Sequence, residues 1–343
     1  MSLASAPLSR GLLDTITSGS PQQAWDAIGQ SLWETFSAPI SAASKQTATS
    51  EIVNRDANIN ELENVVSGSC WDLWQHFGDC VPRTSQSLIE FWGRVGGGKA
   101  VLILDGLSLR ESPWLLGALK ERGYTIHKAG YRASELPCET TPFARSLGFQ
   151  QRADLENNGA SKTHSLTGAA TESTGLPWED CVASVKSQEH FVYWHHWPDS
   201  RIHELAKPGE GLRKLAAEAQ SRLSEDAFWE FVERLAHGRR LVITADHGFA
   251  ACGNFPDLGK EQSNYMKALF KSGRTAVVPP STEPTEPAAW MPPIDLELET
   301  EHGKHRFALG RRKWKVSGEK NRLLAHGGLS LLEVFVPFFE LST

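Results

Sequence analysis

Apolar residues recur at helical spacing through residues 1–98. In Pro21–Phe36, Trp25, Ile28, Leu32 and Trp33 fall near one stripe. Ile59–Phe77 and Ser85–Val95 repeat the pattern, while Ser37–Asn54, rich in Ser, Ala and Thr, reads as a loop or a weak helix. After Gly96-Gly97-Gly98 the texture changes. Val101–Leu104 is an unbroken apolar run closed by Asp105-Gly106, the pattern of a strand buried on both faces. Phe191–Trp194 and Leu241–Ala245 are similar runs, and Tyr124–His127, Thr275–Pro279 and Val334–Phe339 add further strands. Pro113–Arg122 and Glu225–His237 read as helices between them, and Arg306–Val316 as a β-hairpin. Strands alternating with helices predict an α/β sheet. The polar stretch 150–187 reads as a lid-like insertion.

Composition narrows the class. With 343 residues, 40% hydrophobic and 22% charged, the chain is long enough for a substantial core. No run approaches the ~20 apolar residues of a membrane span. Met1–Arg10 lacks a long apolar stretch after a basic start, so no signal peptide is read and a cytoplasmic location is expected. The balance of 35 Lys+Arg against 41 Asp+Glu, a formal charge of −6, excludes a broadly basic nucleic-acid coat but not a local site for a phosphate substrate. Five scattered cysteines, never C-x-x-C, argue against a disulfide framework or a thiolate zinc site. Twelve histidines leave metal binding to imidazole and carboxylate. For Trp25, Trp33, Trp71 and Trp74, core packing is the ordinary use; a partner-binding surface is the other.

Three apolar strands deliver polar residues at or just beyond their ends: Asp105 after the first, Asp199 and His203 after the second, Asp246 and His247 after the third. Ligands of open α/β sheets sit at the strand carboxyl ends. Each piece has a plain alternative. Asp105-Gly106 and Asp246-His247-Gly248 can be turns, Asp199 a helix N-cap, and His326-Gly327-Gly328 a loop. Recurrence of an acid at three strand ends favours a metal site built from oxygen and nitrogen donors. The Gly96–Gly98 triplet is a weak phosphate-loop signal, because it precedes the strand and lacks a following GK[ST].

The ordered set Leu-Asp105-Gly, Leu-Pro-Cys-Glu-Thr140-Thr, Trp-Pro-Asp199-x-x-x-His203, Thr-Ala-Asp246-His247-Gly-Phe and His326-Gly-Gly-Leu-Ser resembles the alkaline phosphatase superfamily, and within it the PglZ-domain branch. The resemblance spans about Lys99–Phe339. It implies an alkaline-phosphatase-like α/β fold, with a mixed, mainly parallel sheet flanked by helices in a catalytic domain, 99–343, after an N-terminal helical region, 1–98. It also implies two divalent metal ions, zinc with manganese as the alternative. Asp105, Thr140, Asp246 and His247 would hold one, and Asp199, His203 and His326 the other. Thr140 would be the nucleophile, with Thr141 the alternative, and Cys138 a neighbour without a catalytic role.

The activity that the resemblance implies is that of a metal-dependent phosphodiesterase or nuclease acting on nucleic acid or a cyclic nucleotide, and by resemblance alone it implies a part in bacterial anti-phage defence such as BREX. A phosphomonoesterase, or a non-catalytic docking subunit bound to a protein partner through the Trp-rich helices, are the competing readings. A mutase or phosphotransferase is disfavoured, because no inserted domain is large enough. His195 or His196 is expected to face the site. Arg110, Arg145 and Lys162 are candidate phosphate clamps, and the basic run Arg306–Lys315 a candidate approach surface for a polyanion.

Overall fold

The structure, a computed structural model, describes residues 8–40, 44–155, 158–159, 164–205, 211–279, 290–317 and 320–343. Its strands are β1 Gly98–Leu104, β2 Thr125–Ala133, β3 Asn158–Gly159, β4 Ala170–Thr174, β5 His190–His195, β6 Arg239–Thr244, β7 Ala250–Ala251, β8 Thr275–Val277, β9 Asp295–Thr300, β10 Gly303–Ala308, β11 Lys315–Ser317, β12 Lys320–Asn321, β13 Leu324–Ala325 and β14 Phe335–Ser342. Seven form the central sheet, ordered β2-β14-β6-β1-β5-β4-β3. β6, β1, β5 and β4 are parallel, whereas β14 runs antiparallel to both β2 and β6. This is a mixed, mainly parallel sheet flanked by helices. Ala100–Leu104 are fully buried, as continuous apolar strands between helical layers must be.

Local chemistry sets the helix boundaries. Pro21–Ser37 starts on a capping box: Ser20 Oγ accepts from Gln23 N, and Gln23 Oε1 accepts from Ser20 N. The next helix runs unbroken from Lys45 to Gly68, through a stretch expected to be loop or weak helix. Not all of its polar residues belong to the solvated face, because Arg55, Asp56 and Glu63 are buried. Asp56 Oδ1 accepts from Arg110 Nε at 2.9 Å, Arg110 Nη2 at 2.6 Å and Arg311 Nη1 at 2.9 Å, and Glu63 Oε2 accepts from Leu331 N at 2.9 Å. These bonds tie the N-terminal helices to the sheet-bearing part of the chain.

The tryptophans reinforce that junction. Trp25 and Trp74 are buried, their rings tilted against each other, with Phe77 against both and Phe335 beside Trp25, and Trp33 packs on Phe339. Trp25 and Trp74 therefore fill the shared core and offer no surface to a partner; Trp33 and Trp71 are partly buried against the same core.

Two other expectations change. Arg306–Val316 is not a hairpin: β10 pairs with β8 and β9, while β11 pairs with β12. Arg306 pairs with Asp295 and Glu297, and Arg311 is buried against Asp56, so the basic run is largely spent inside the fold. Stretch 150–187 is not wholly a lid, because β4 is a parallel strand of the central sheet and Trp178–Ser184 a helix packed on Asp226–Ala236. Among the described residues, no helix is long and apolar enough to cross a membrane.

Candidate metal centre

The parallel register brings the strand ends side by side. Leu104 of β1 pairs with His195 of β5, and Ile103 with Thr244 of β6. Asp105 and Asp246 therefore emerge together, and Asp199 is drawn in by a bond from its N to Asp105 O at 2.8 Å. Gly106, at φ +78°, turns the chain here and donates its N–H to Asp246 Oδ1 at 3.0 Å. A side chain there would meet Asp199 and Ile202 at 3.1–3.3 Å, so only glycine fits.

All seven sequence-predicted residues meet at this point, six of them in two groups of three and Thr140 beside Asp105. Asp105, Asp246 and His247 are fully buried, with His247 Nε2 3.5 Å from both Asp105 Oδ1 and Asp246 Oδ2. Asp199, His203 and His326 form the second group. His203 Nε2 lies 3.3 Å from Asp199 Oδ2, His326 Nε2 lies 3.3 Å from Asp199 Oδ1, and the two Nε2 atoms are 3.4 Å apart. Within each group the ligating atoms lie within 4.8 Å of one another. The stacked His247 and His326 rings, with centroids 4.1 Å apart, join the groups. Thr140 opens the helix Thr140–Ser146 and aims its Oγ1 at Asp105 Oδ1, 3.4 Å away. Thr141 is more exposed and lines the same cavity.

The cavity, about 410 Å³, is lined by Glu139, Thr140, Thr141, Gln151, Arg152, His196, Asp199, His203 and His326. Arg152 was not legible from spacing; its guanidinium pairs with Asp105 across the cavity floor. His196 faces the cavity and shares a hydrogen bond with Ser173 Oγ at 3.0 Å. His195 turns away, bonding Leu176 O and Trp197 N. Of the other clamps considered, Arg110 is locked against Asp56, Arg145 is exposed outside the cavity lining, and Lys162 lies outside the described residues. Cys138 is buried and donates to Gly328 O at 3.0 Å; burial holds its thiol well above its ordinary range, as suits a structural residue.

The bare donor set is electrostatically frustrated. Burial, then the Asp246 and Asp199 carboxylates, push Asp105 well above the usual carboxylate range. Burial pulls His247 down, but Asp246, Asp199 and Asp105 together raise it to about 9. Burial works against the Asp199 anion, yet the His203 hydrogen bond and the His326 and His247 charges hold Asp199 below its ordinary value. Burial, with His247 close by, lowers His326 to about 3. Asp246 Oδ2, His247 Nε2 and Asp199 Oδ1 are buried without hydrogen bonds. Unbonded oxygen and nitrogen atoms pointing at one another fit a pair of dications, which would supply the missing positive charge.

The fold, with this donor set at the carboxyl ends of its sheet, accords with an alkaline-phosphatase-like phosphoesterase-type hydrolase, the class that the family match supports. The chain belongs to the PglZ family: residues 153–341, more than half of it, match the BREX system PglZ alkaline phosphatase-like domain. Among solved structures it is similar to murine ectonucleotide pyrophosphatase/phosphodiesterase 5, in an inactive variant in complex with AMP (TM-score 0.47, 12% identity, 71% of this chain and 88% of that chain). The human counterpart gives a TM-score of 0.43 at 14% identity, over 71% of this chain and 87% of that chain. No curated protein matches the sequence.

Proposed function

We propose that the chain is a metal-dependent phosphodiesterase acting on nucleic acid or a nucleotide, with Thr140 as nucleophile and a role in BREX-type anti-phage defence. The observation that carries this is the convergence of seven residues from five separate segments at one end of the sheet, where Thr140, Asp199, His203 and His326 line an open cavity and Asp105, Asp246 and His247 lie buried behind it. Asp105, Asp246 and His247, with Thr140, would hold one dication, and Asp199, His203 and His326 the other. Zinc suits the mixed imidazole and carboxylate donors. When bound, the ions supply Lewis-acid polarisation of phosphoryl oxygens and acidify hydroxyl groups.

The chain's own residues do the rest. Asp105 Oδ1 orients the Thr140 hydroxyl; its oxygen bonds to phosphorus as the phosphorus–oxygen bond to the leaving group breaks on the opposite side, and the proton given up by the hydroxyl is returned through solvent to the departing alkoxide. Water then cleaves the phosphothreonine and restores Thr140. Arg152 is the cation that steers and holds a non-bridging phosphate oxygen, on release from Asp105. His196, lowered to about 4 by burial and then by Arg152, is neutral at neutral pH and presents a polar edge to the leaving group. We divide the chain into a helical region, 1–98, and a catalytic region, 99–343, with Gln151 and Arg152 as the part of stretch 150–187 that overhangs substrate.

The test is turnover of a bis-aryl phosphodiester beside an aryl monoester, with zinc or manganese, by the wild type, Asp246→Ala and His326→Ala. Metal-dependent diester turnover lost in both variants supports the proposal. Turnover of the monoester alone favours a phosphomonoesterase, and no turnover with no bound metal sinks the enzyme reading.

A further inference from the structure

We propose that Glu333 is a positioning residue that fixes the backbone of the His326 loop, and so sets the affinity of one of the two metal subsites. This inference rests on the two-metal reading of the centre.

Glu333 is fully buried between that loop and β14 and touches no candidate ligand. Its Oε1 accepts from Gly328 N at 3.0 Å and from Arg274 Nε at 2.7 Å, and its Oε2 accepts from Arg274 Nη2 at 3.2 Å. A carboxylate can serve a guanidinium fork and a backbone amide at once. Arg274 Nη1 in turn donates to Arg312 O at 2.9 Å, so the pair is anchored to the surrounding backbone.

The strip held in this way is tight. A Cβ at Gly328 would lie 2.8 Å from Ala308 O and 2.9 Å from Arg274 Nε. Leu329 N donates to Ala308 O at 2.9 Å, and Gly310 N to Leu329 O at 2.8 Å. Gly328 O accepts from Cys138 Sγ, two residues before Thr140. The Glu333 carboxylate thus secures a peptide that lies two residues from His326 and is bonded to the nucleophile's segment. The Glu333 carbonyl accepts from Gly248 N at 2.8 Å, beside His247. That backbone contact survives side-chain substitution, so changes to the carboxylate should loosen only the His326 side.

The experiment measures zinc stoichiometry and the two affinities by chelator competition, with circular dichroism and Tm, in the wild type, Glu333→Asp and Glu333→Gln. Aspartate keeps the charge beside Arg274 but withdraws from Gly328 N; glutamine keeps the reach and an oxygen acceptor. The wild type should bind two ions. Glu333→Asp should keep one unchanged and bind the other about tenfold more weakly, the low end of the effect of losing a direct partner of a ligand because Glu333 acts through the backbone two residues away, with Glu333→Gln closer to the wild type. Equal affinities in folded Glu333→Asp and wild type, or equal weakening of both ions, would overturn the inference. A wild type that binds no metal overturns the metal reading itself, before any variant is compared. Should a single variant fail to fold, Arg274→Met/Glu333→Gln against Arg274→Met/Glu333→Leu makes the same comparison without a buried unpaired charge, and equal affinities there overturn the inference as well.

Discussion

Asp56→Asn tests whether the N-terminal helices are one structure with the sheet-bearing part of the chain. Asp56, Arg110 and Arg311 have no exposed side-chain surface. One carboxylate oxygen accepts three guanidinium bonds, from 2.6 to 2.9 Å. The amide retains the volume and one acceptor but no charge, leaving two buried cations short of a counterion. Arg110 keeps bonds to Ser108 Oγ and Phe249 O, and Arg311 keeps Asn60 Oδ1 and the Glu63 carboxylate 3.5 Å away. Breaking a buried ion pair from one side costs about 3–5 kcal/mol, more than a hundredfold in the unfolding equilibrium. The control is Asp226→Asn, which removes an exposed partner of Arg122 and should cost only about 0–1 kcal/mol. Urea denaturation followed by tryptophan fluorescence and circular dichroism reads both. The two probes should move together, because the pair spans the helices and the sheet-bearing part. A loss within about 1 kcal/mol of the wild type, or an early separate transition of the helices, would refute the reasoning.

Two further outcomes follow from the same geometry. Arg152→Met should lower kcat/KM for a phosphodiester by about 10–100-fold, the equivalent of one charge-assisted hydrogen bond, and weaken competitive inhibition by inorganic phosphate; unchanged values would remove Arg152 from the substrate site. Burial raises Glu63 from 4.5 to about 7 against the pull of Arg311, so the folded chain binds that proton more tightly than the unfolded chain does. This contribution to stability is complete below about pH 4.5 and is lost as pH rises through about 7. Between pH 5 and 8 the wild type should lose about 2.5 kcal/mol more than Glu63→Gln, and parallel pH profiles would contradict it.

The candidate metal-ligand set was legible because its signals are local: an acid at the end of two apolar runs and shortly beyond a third, and short His-containing motifs whose order is specific. Parallel pairing then converts similar strand ends into one site. Arg152 was not legible, since it lies in a polar stretch with no periodic neighbour and gains meaning only opposite Asp105. The helix Lys45–Gly68 was half missed for a related reason. Its Asp56 and Glu63 look like solvated positions until Arg110, Arg311 and the Leu331 amide arrive from distant parts of the chain. The basic run Arg306–Lys315 misled in the opposite direction: cations close in sequence are separated by β10 and the turn after it, and their acids come from elsewhere. Buried charge pairing is non-local, and single-sequence patterning does not register it.

In the proposed reaction Thr140, beside a pair of bound metal ions, attacks a phosphodiester. The most direct test is turnover of a bis-aryl phosphodiester by zinc-loaded wild type, Thr140→Ala and Thr141→Ala, with metal content measured on each sample. The account predicts turnover in the wild type, a rate of similar order in Thr141→Ala, and a loss of at least about a thousandfold in Thr140→Ala with its metal retained. Full activity in Thr140→Ala, or its transfer to dependence on Thr141, would contradict it.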